Sequence, residues 1–156
     1  MTDSPAKPRI AIGSDHAGFT VKESIRKYLE EAGYLVDDQG TSSENSVDYP
    51  DFGKAVGERV ALKRADFGIA VCGSGIGISI AANKVPGIRA ALAHDIVTAR
   101  LAREHNDANV LALGARIVTP VAALAMVQAF LNTPFAGGRH QRRLDKITQI
   151  ERDTHL

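Results

Sequence analysis

The chain holds a single cysteine, Cys72, in 156 residues, so no intrachain disulfide can staple it. Its first residues, "MTDSPAKPRIAIG", reach an apolar run without the charged-then-greasy order of a secretion signal. Together these features predict a reducing, cytoplasmic setting. No charge of one sign dominates either: charged residues make up 24% and the formal net charge is +1, so nucleic acid is not an expected partner. The longest apolar stretch, "VAALAMVQAFL", is too short to cross a bilayer, and no membrane partner is expected. His16, His94, His105, His140 and His155 show no paired spacing that would set two ligands on one helix face, so no metal is predicted. Internal repeats and low-complexity tracts are absent. The length fits one domain, residues 1–156, with room for a proper core but none for a separate substrate domain.

What is present is alternation. "RIAIG", "YLVDD", "FGIAVC", "IRAALA" and "NVLALG" read as strands, each followed by a helical pattern, and five βα units predict a parallel sheet. Val21, Ile25, Tyr28, Leu29 and Ala32 share one helical face, with Gly33 placed as the left-handed residue that ends the helix. Phe52, Val56 and Val60 repeat that spacing in the second helix. Thr119-Pro120 offers an N-cap and a first-turn proline to a helix that is apolar nearly all round, which predicts burial against another subunit. From about residue 137 to His155 a charged helix follows, whose seam of Leu144, Ile147 and Ile150 has no sixth strand to pack on; a partner subunit is expected to cover it. One long polar loop, "GTSSENSVDYP" at 40–50, falls where a strand's C-terminal end meets a helix, the end that builds active sites in open α/β sheets.

The chemistry concentrates in "CGSGIGIS". Gly73, Gly75 and Gly77 let the backbone approach a ligand, and the amides of the following helix start point at negative charge. A phosphate cradle has no need of a neighbouring thiol, whereas Cys72 beside an oxyanion cradle suits proton removal next to a carbonyl, or acyl transfer, and the positive helix end favours the thiolate. The plain alternative is a buried, inert cysteine. A dinucleotide site is the rival reading of a Gly-rich strand-to-helix turn: the third glycine falls one position early, with Ile78 where the fingerprint needs glycine, but Asp95 lies about twenty residues on. Asp15 and His16, in "GSDHAGF", follow the first strand, where Asp15 alone could serve to cap the first helix. His105 and Asn106 are expected in the turn after the fourth helix and Arg116 just past the last strand. Arg139, His140, Arg142 and Arg143 could hold a phosphate monoester, or form an ordinary solvated run.

Taken in order, "SDHAGF", "DYPDFG", "VCGSGIGISIAANKVPGIRAAL", "EHNDANVLALGAR" and "GGRHQRRLDKI" resemble the type B ribose-5-phosphate isomerase family, from about Ile10 to Ile150. The same family includes isomerases of allose and galactose phosphates. The resemblance implies a three-layer α/β/α Rossmann-like fold with a five-stranded parallel sheet and an extra C-terminal helix. It also implies interconversion of ribose 5-phosphate and ribulose 5-phosphate through a cis-enediolate, without a cofactor, in a homodimer, or a tetramer built from it, whose sites draw on both chains. Carried over residue by residue, Cys72 matches the base that moves the proton between C2 and C1, and Gly73, Ser74, Gly75, Ile76 and Gly77 the enediolate cradle. His105 matches the ring-opening residue, with Asp15 and Ser74 handling sugar hydroxyls. Asn106 and Tyr49 match sugar-binding positions, and His16, Arg116, Arg139 and Arg143 the set around the phosphate. Some members use a glutamate one turn after the cysteine position; this chain has Ile78 there, which favours the thiolate route.

Overall fold

The computed structural model describes residues 5–154; His155, at the end of the expected tail helix, lies outside them. Apolar runs rich in Ile, Val and Ala form five strands: β1 (Arg9–Ser14), β2 (Leu35–Asp38), β3 (Phe67–Cys72), β4 (Ala90–Leu92) and β5 (Val110–Gly114). Between and after them lie α1 (Phe19–Glu31), α2 (Tyr49–Ala61), α3 (Ile76–Asn83), α4 (Ile96–Asn106), α5 (Pro120–Asn132) and α6 (Arg139–Asp153). Every strand pair is parallel, in the order β2-β1-β3-β5-β4.

Alternation along the strands sorts their side chains onto two faces. One face presents Ile10, Ile12, Ile69, Val71, Leu111 and Leu113 to α1, α4 and α5, through Ile25, Leu29, Ala102, Met126 and Phe130. The other presents smaller groups, Ala11, Ala70, Cys72 and Ala112, to Val56, Val60, Ile78 and Ala82 of α2 and α3. The small residues bring those two helices close: a Cβ on Gly68 would stand 2.6 Å from Val56 Cγ1. Each buried Ile, Leu or Val contributes about 1.5–3 kcal/mol of transfer free energy, so the two-sided core holds the sheet and thereby the loops at its ends.

The expected caps form. Gly33 has φ +91° directly after α1, and Thr119 Oγ1 accepts the Ala122 N–H with Pro120 opening α5. Two boundaries differ from the sequence reading. Tyr49 already belongs to α2, because Pro50 fits the first turn of a helix as readily as it ends a loop. His105 and Asn106 stand in the last turn of α4, the helix being stopped by Asp107 at φ +44°. In α6, Leu144 is buried, but Ile147 and Ile150 are 47% and 65% exposed.

Candidate active site

Strand order decides where a site can form. The connections from β1 and β3 leave these neighbours toward opposite faces, opening a crevice at their C-terminal ends. A cavity of about 610 Å³ lies there, lined among others by Asp15, His16, Tyr49, Cys72, Ser74 and Arg116.

Cys72 is the last residue of β3, only 3% exposed, opposite Gly114 of β5. Its sulfur accepts the Gly75 N–H at 3.2 Å. That amide points inward because Gly75 has φ +78°, and a Cβ there would lie 2.5 Å from Leu92 Cδ1 and 2.8 Å from the Leu113 carbonyl carbon. Glycine is thus demanded twice, by conformation and by space. Ser74 Oγ accepts the Ile76 N–H at 3.2 Å, which tightens the turn into α3. A Cβ on Gly77 would stand 2.5 Å from Tyr49 Cζ, so the Tyr49 ring lies directly on the first turn of α3. The result is a sulfur and the first turn of α3 meeting at one largely apolar cavity with a few polar groups, an arrangement able to take a proton from carbon and stabilise an oxyanion.

Asp15 Oδ1 accepts the Gly18 N–H at 3.0 Å and the Asp15 N–H donates to Val71 O, which fastens the β1 loop to β3. Asp15 therefore does serve the start of α1, and it lines the cavity as well. His16 Nδ1 stands 3.2 Å from both the N–H and the carbonyl oxygen of Val47 in the polar loop. Arg116 follows β5; its N–H donates to Gly73 O at 2.9 Å, and its guanidinium stands where a Cβ on Gly73 would be 3.1 Å from Nη1. The cavity thus has a sulfur at its floor and a cation at its side.

Sequence reasoning missed the support behind this site. Lys22, wholly buried in α1, donates to both Asp38 oxygens at 2.9 Å and to Thr41 O at 2.7 Å. The loop held in this way exchanges backbone hydrogen bonds with Ser14, through Gly40 O and the Thr41 N–H. A lysine within an apolar helical stripe was the available signal. Ala17, Ile80 and Ile117, which also line the cavity, carried none, since apolar residues at such positions read as core.

Five expected site residues do not line this cavity within one chain: Gly75, whose amide is turned to the Cys72 sulfur, and His105, Asn106, Arg139 and Arg143. His105 stacks on His140 across the α4–α6 junction, and Asn106 borders a separate groove with Arg89, Ile147 and Ile150. The rival dinucleotide acid, Asp95, caps α4: its carboxylate accepts the Thr98 N–H at 2.7 Å, a bond that holds it below the usual aspartate range.

Comparison with known proteins places these features in context. The Ribose/Galactose Isomerase family profile matches residues 10–147. Ribose-5-phosphate isomerase B of Escherichia coli is 48% identical over 143 residues, covering 92% of this chain and 96% of its own. The enzyme of the same name from Mycolicibacterium paratuberculosis is 47% identical over 149 residues, covering 94% and 93%. Among solved structures, Clostridium thermocellum ribose-5-phosphate isomerase B superposes with a TM-score of 0.91 at 53% identity, covering 92% of this chain and 97% of that one. The Mycoplasma genitalium enzyme, solved with bound ribulose-5-phosphate, gives 0.90 at 44%, covering 94% and 97%.

Proposed function

The chain belongs to the ribose/galactose isomerase family, and from that premise we propose that it interconverts ribose 5-phosphate and ribulose 5-phosphate, with Cys72 as the base. The observation that carries this reading is the Cys72 sulfur at the floor of the cavity, against the Gly75 N–H where α3 begins.

The furanose must open first. His105 gives a proton to the ring oxygen, the C1–O4 bond breaks, and the anomeric hydroxyl loses its proton to solvent as the C1 carbonyl forms. The Cys72 thiolate then takes the C2 proton; the C2–H electrons form the C1–C2 double bond, and the carbonyl electrons move onto O1. The first-turn amides of α3 face that charge as it develops. The thiol, its hydrogen exchanged with solvent, delivers a proton to C1 while the O2–H proton passes to O1, leaving the C2 ketone. Asp15 and Ser74 hold sugar hydroxyls, and Tyr49 covers the sugar. His16 and Arg116 on one side, with Arg139 and Arg143 on the other, take the phosphate, whose binding energy keeps C1 and C2 against the sulfur.

Because His105, Asn106, Arg139 and Arg143 lie off the cavity of their own chain, the working unit is a homodimer in which α4 and α6 of one copy complete the cleft of the other. Apolar residues left exposed around the cleft support this assembly: Ile76, Ile80 and Ile117 are 53–60% exposed.

The test is incubation with ribose 5-phosphate in heavy water, with allose 6-phosphate and galactose 6-phosphate alongside. Ketose carrying deuterium at C1 is the expected product. Turnover of a hexose phosphate in place of the pentose overturns the substrate, and absence of any ketose overturns the activity.

A further inference from the structure

The His105 and His140 rings lie face to face, with centroids 4.4 Å apart and planes within 15°. Nothing in the proton relay described above uses His140. Its place is set by backbone: Ala136 N–H donates to Glu104 O at 3.0 Å, which ties the segment after α5 to the end of α4. Gly137 and Gly138, both at positive φ, then turn the chain so that α6 begins at Arg139.

The two rings sit at opposite kinds of helix end. His105 is in the last turn of α4, at the negative end of the helix dipole, which favours a cation. His140 is in the first turn of α6, at the positive end of the helix dipole, which opposes one. We infer that His140 is the positioning partner of His105: stacked on it, the His140 ring fixes the plane of the His105 imidazole and so aims it at the sugar ring oxygen. This inference rests on the ring-opening role given to His105 above.

The surrounding charges agree. His140 is held below the ordinary histidine value, first by burial of its ring and then by the positive charge that His105, Arg139 and Arg143 present, with Glu104 acting in the opposite direction. Two cationic rings in this stack would repel, which works in the same direction on His140.

Three forms of the full-length protein decide the matter: wild type, His140→Phe, which keeps a flat ring without a charge, and His140→Ala, which removes both. The His105 ring signals are followed by NMR from pH 5 to 9. In the wild type they should bend twice, at their own protonation and again at that of His140, and in both variants only once. Turnover is measured on ribose 5-phosphate and on its 4-deoxy analogue, which cannot close a furanose ring. His140→Ala should lower the ratio of cyclic to acyclic turnover about tenfold, and His140→Phe should restore it to within about threefold of wild type, as expected for an acid–base group displaced and then realigned. Identical His105 titrations in all three forms overturn the inference, as does an equal loss on both substrates in His140→Ala. If the wild type isomerises neither sugar, the proposed activity falls, while the titration still decides the stack.

Discussion

Replacing the Cys72 thiol separates chemistry from packing. Cys72→Ala removes one buried sulfur from the face shared with Val56 and Ile78 and leaves the Gly75 N–H without its acceptor. An unmatched buried amide costs ~1–3 kcal/mol, and the missing atom adds a further cost below the ~2–5 kcal/mol of a Leu→Ala truncation. A total near 2 kcal/mol lowers Tm by roughly 4–8 °C in a domain of this size. Cys72→Ser keeps an acceptor at the same place and should recover most of that loss, but an alcohol does not ionise near neutrality. Losing a positioned proton-transfer group costs about 10²–10⁴-fold in rate, so both variants should show kcat reduced by that factor with KM within about threefold. Thermal melts and initial rates on ribose 5-phosphate provide the comparison. A Cys72→Ser protein that folds like wild type and retains more than a tenth of its kcat refutes the thiolate base. Inactivity of Cys72→Ala alone, with Cys72→Ser fully active, shows the sulfur to be a structural acceptor.

Arg143→Ala should raise KM for the sugar phosphate about tenfold or more, the worth of one lost charge-assisted hydrogen bond, with a smaller change in kcat; steady-state kinetics with both constants unchanged removes Arg143 from the site. Sedimentation at micromolar concentration should give at least twice the 16.6 kDa chain mass, and a clean monomer removes the shared site. Gly75→Ala should destabilise the fold by about 2–5 kcal/mol in urea melts, the sum of a left-handed conformation and an overpacked contact; wild-type stability there refutes the close approach of the loop to β5. The Asp95 cap gives a pH signature with a defined sign: its carboxyl is held low in the folded chain, so its stabilisation is full above the ordinary aspartate range and is lost as pH falls through the lower folded value. Asp95→Asn should therefore melt with a weaker acid dependence than wild type, and parallel curves refute the cap's electrostatic role.

Much of the architecture was legible along the chain because its signals are local. The spacing of Val21, Ile25 and Leu29, the Thr119-Pro120 start and the alternation in "FGIAVC" each act within one turn or one strand, where geometry leaves few options. The glycine-flanked Cys72 was legible for the same reason: only a chain that must bend sharply beside a neighbour spaces glycines two apart at a strand end. Ser74, Tyr49 and Arg116 joined it through the family resemblance. Boundaries were less secure at Tyr49 and His105, where one residue serves equally as loop or helix end.

The sequence by itself determined the parallel sheet, the placing of Cys72 at a strand end and the family, because each follows from periodicity or from motifs in a fixed order. Only the tertiary structure decided that Lys22 braces the β1 loop through Asp38 and Thr41, that Asp95 is committed to Thr98, and that His105 stacks on His140 away from the sulfur. Those pairings join residues distant in the chain or choose between equally sound local partners. No periodicity encodes such choices; they are fixed when burial of the two sheet faces sets the helices at definite distances and angles.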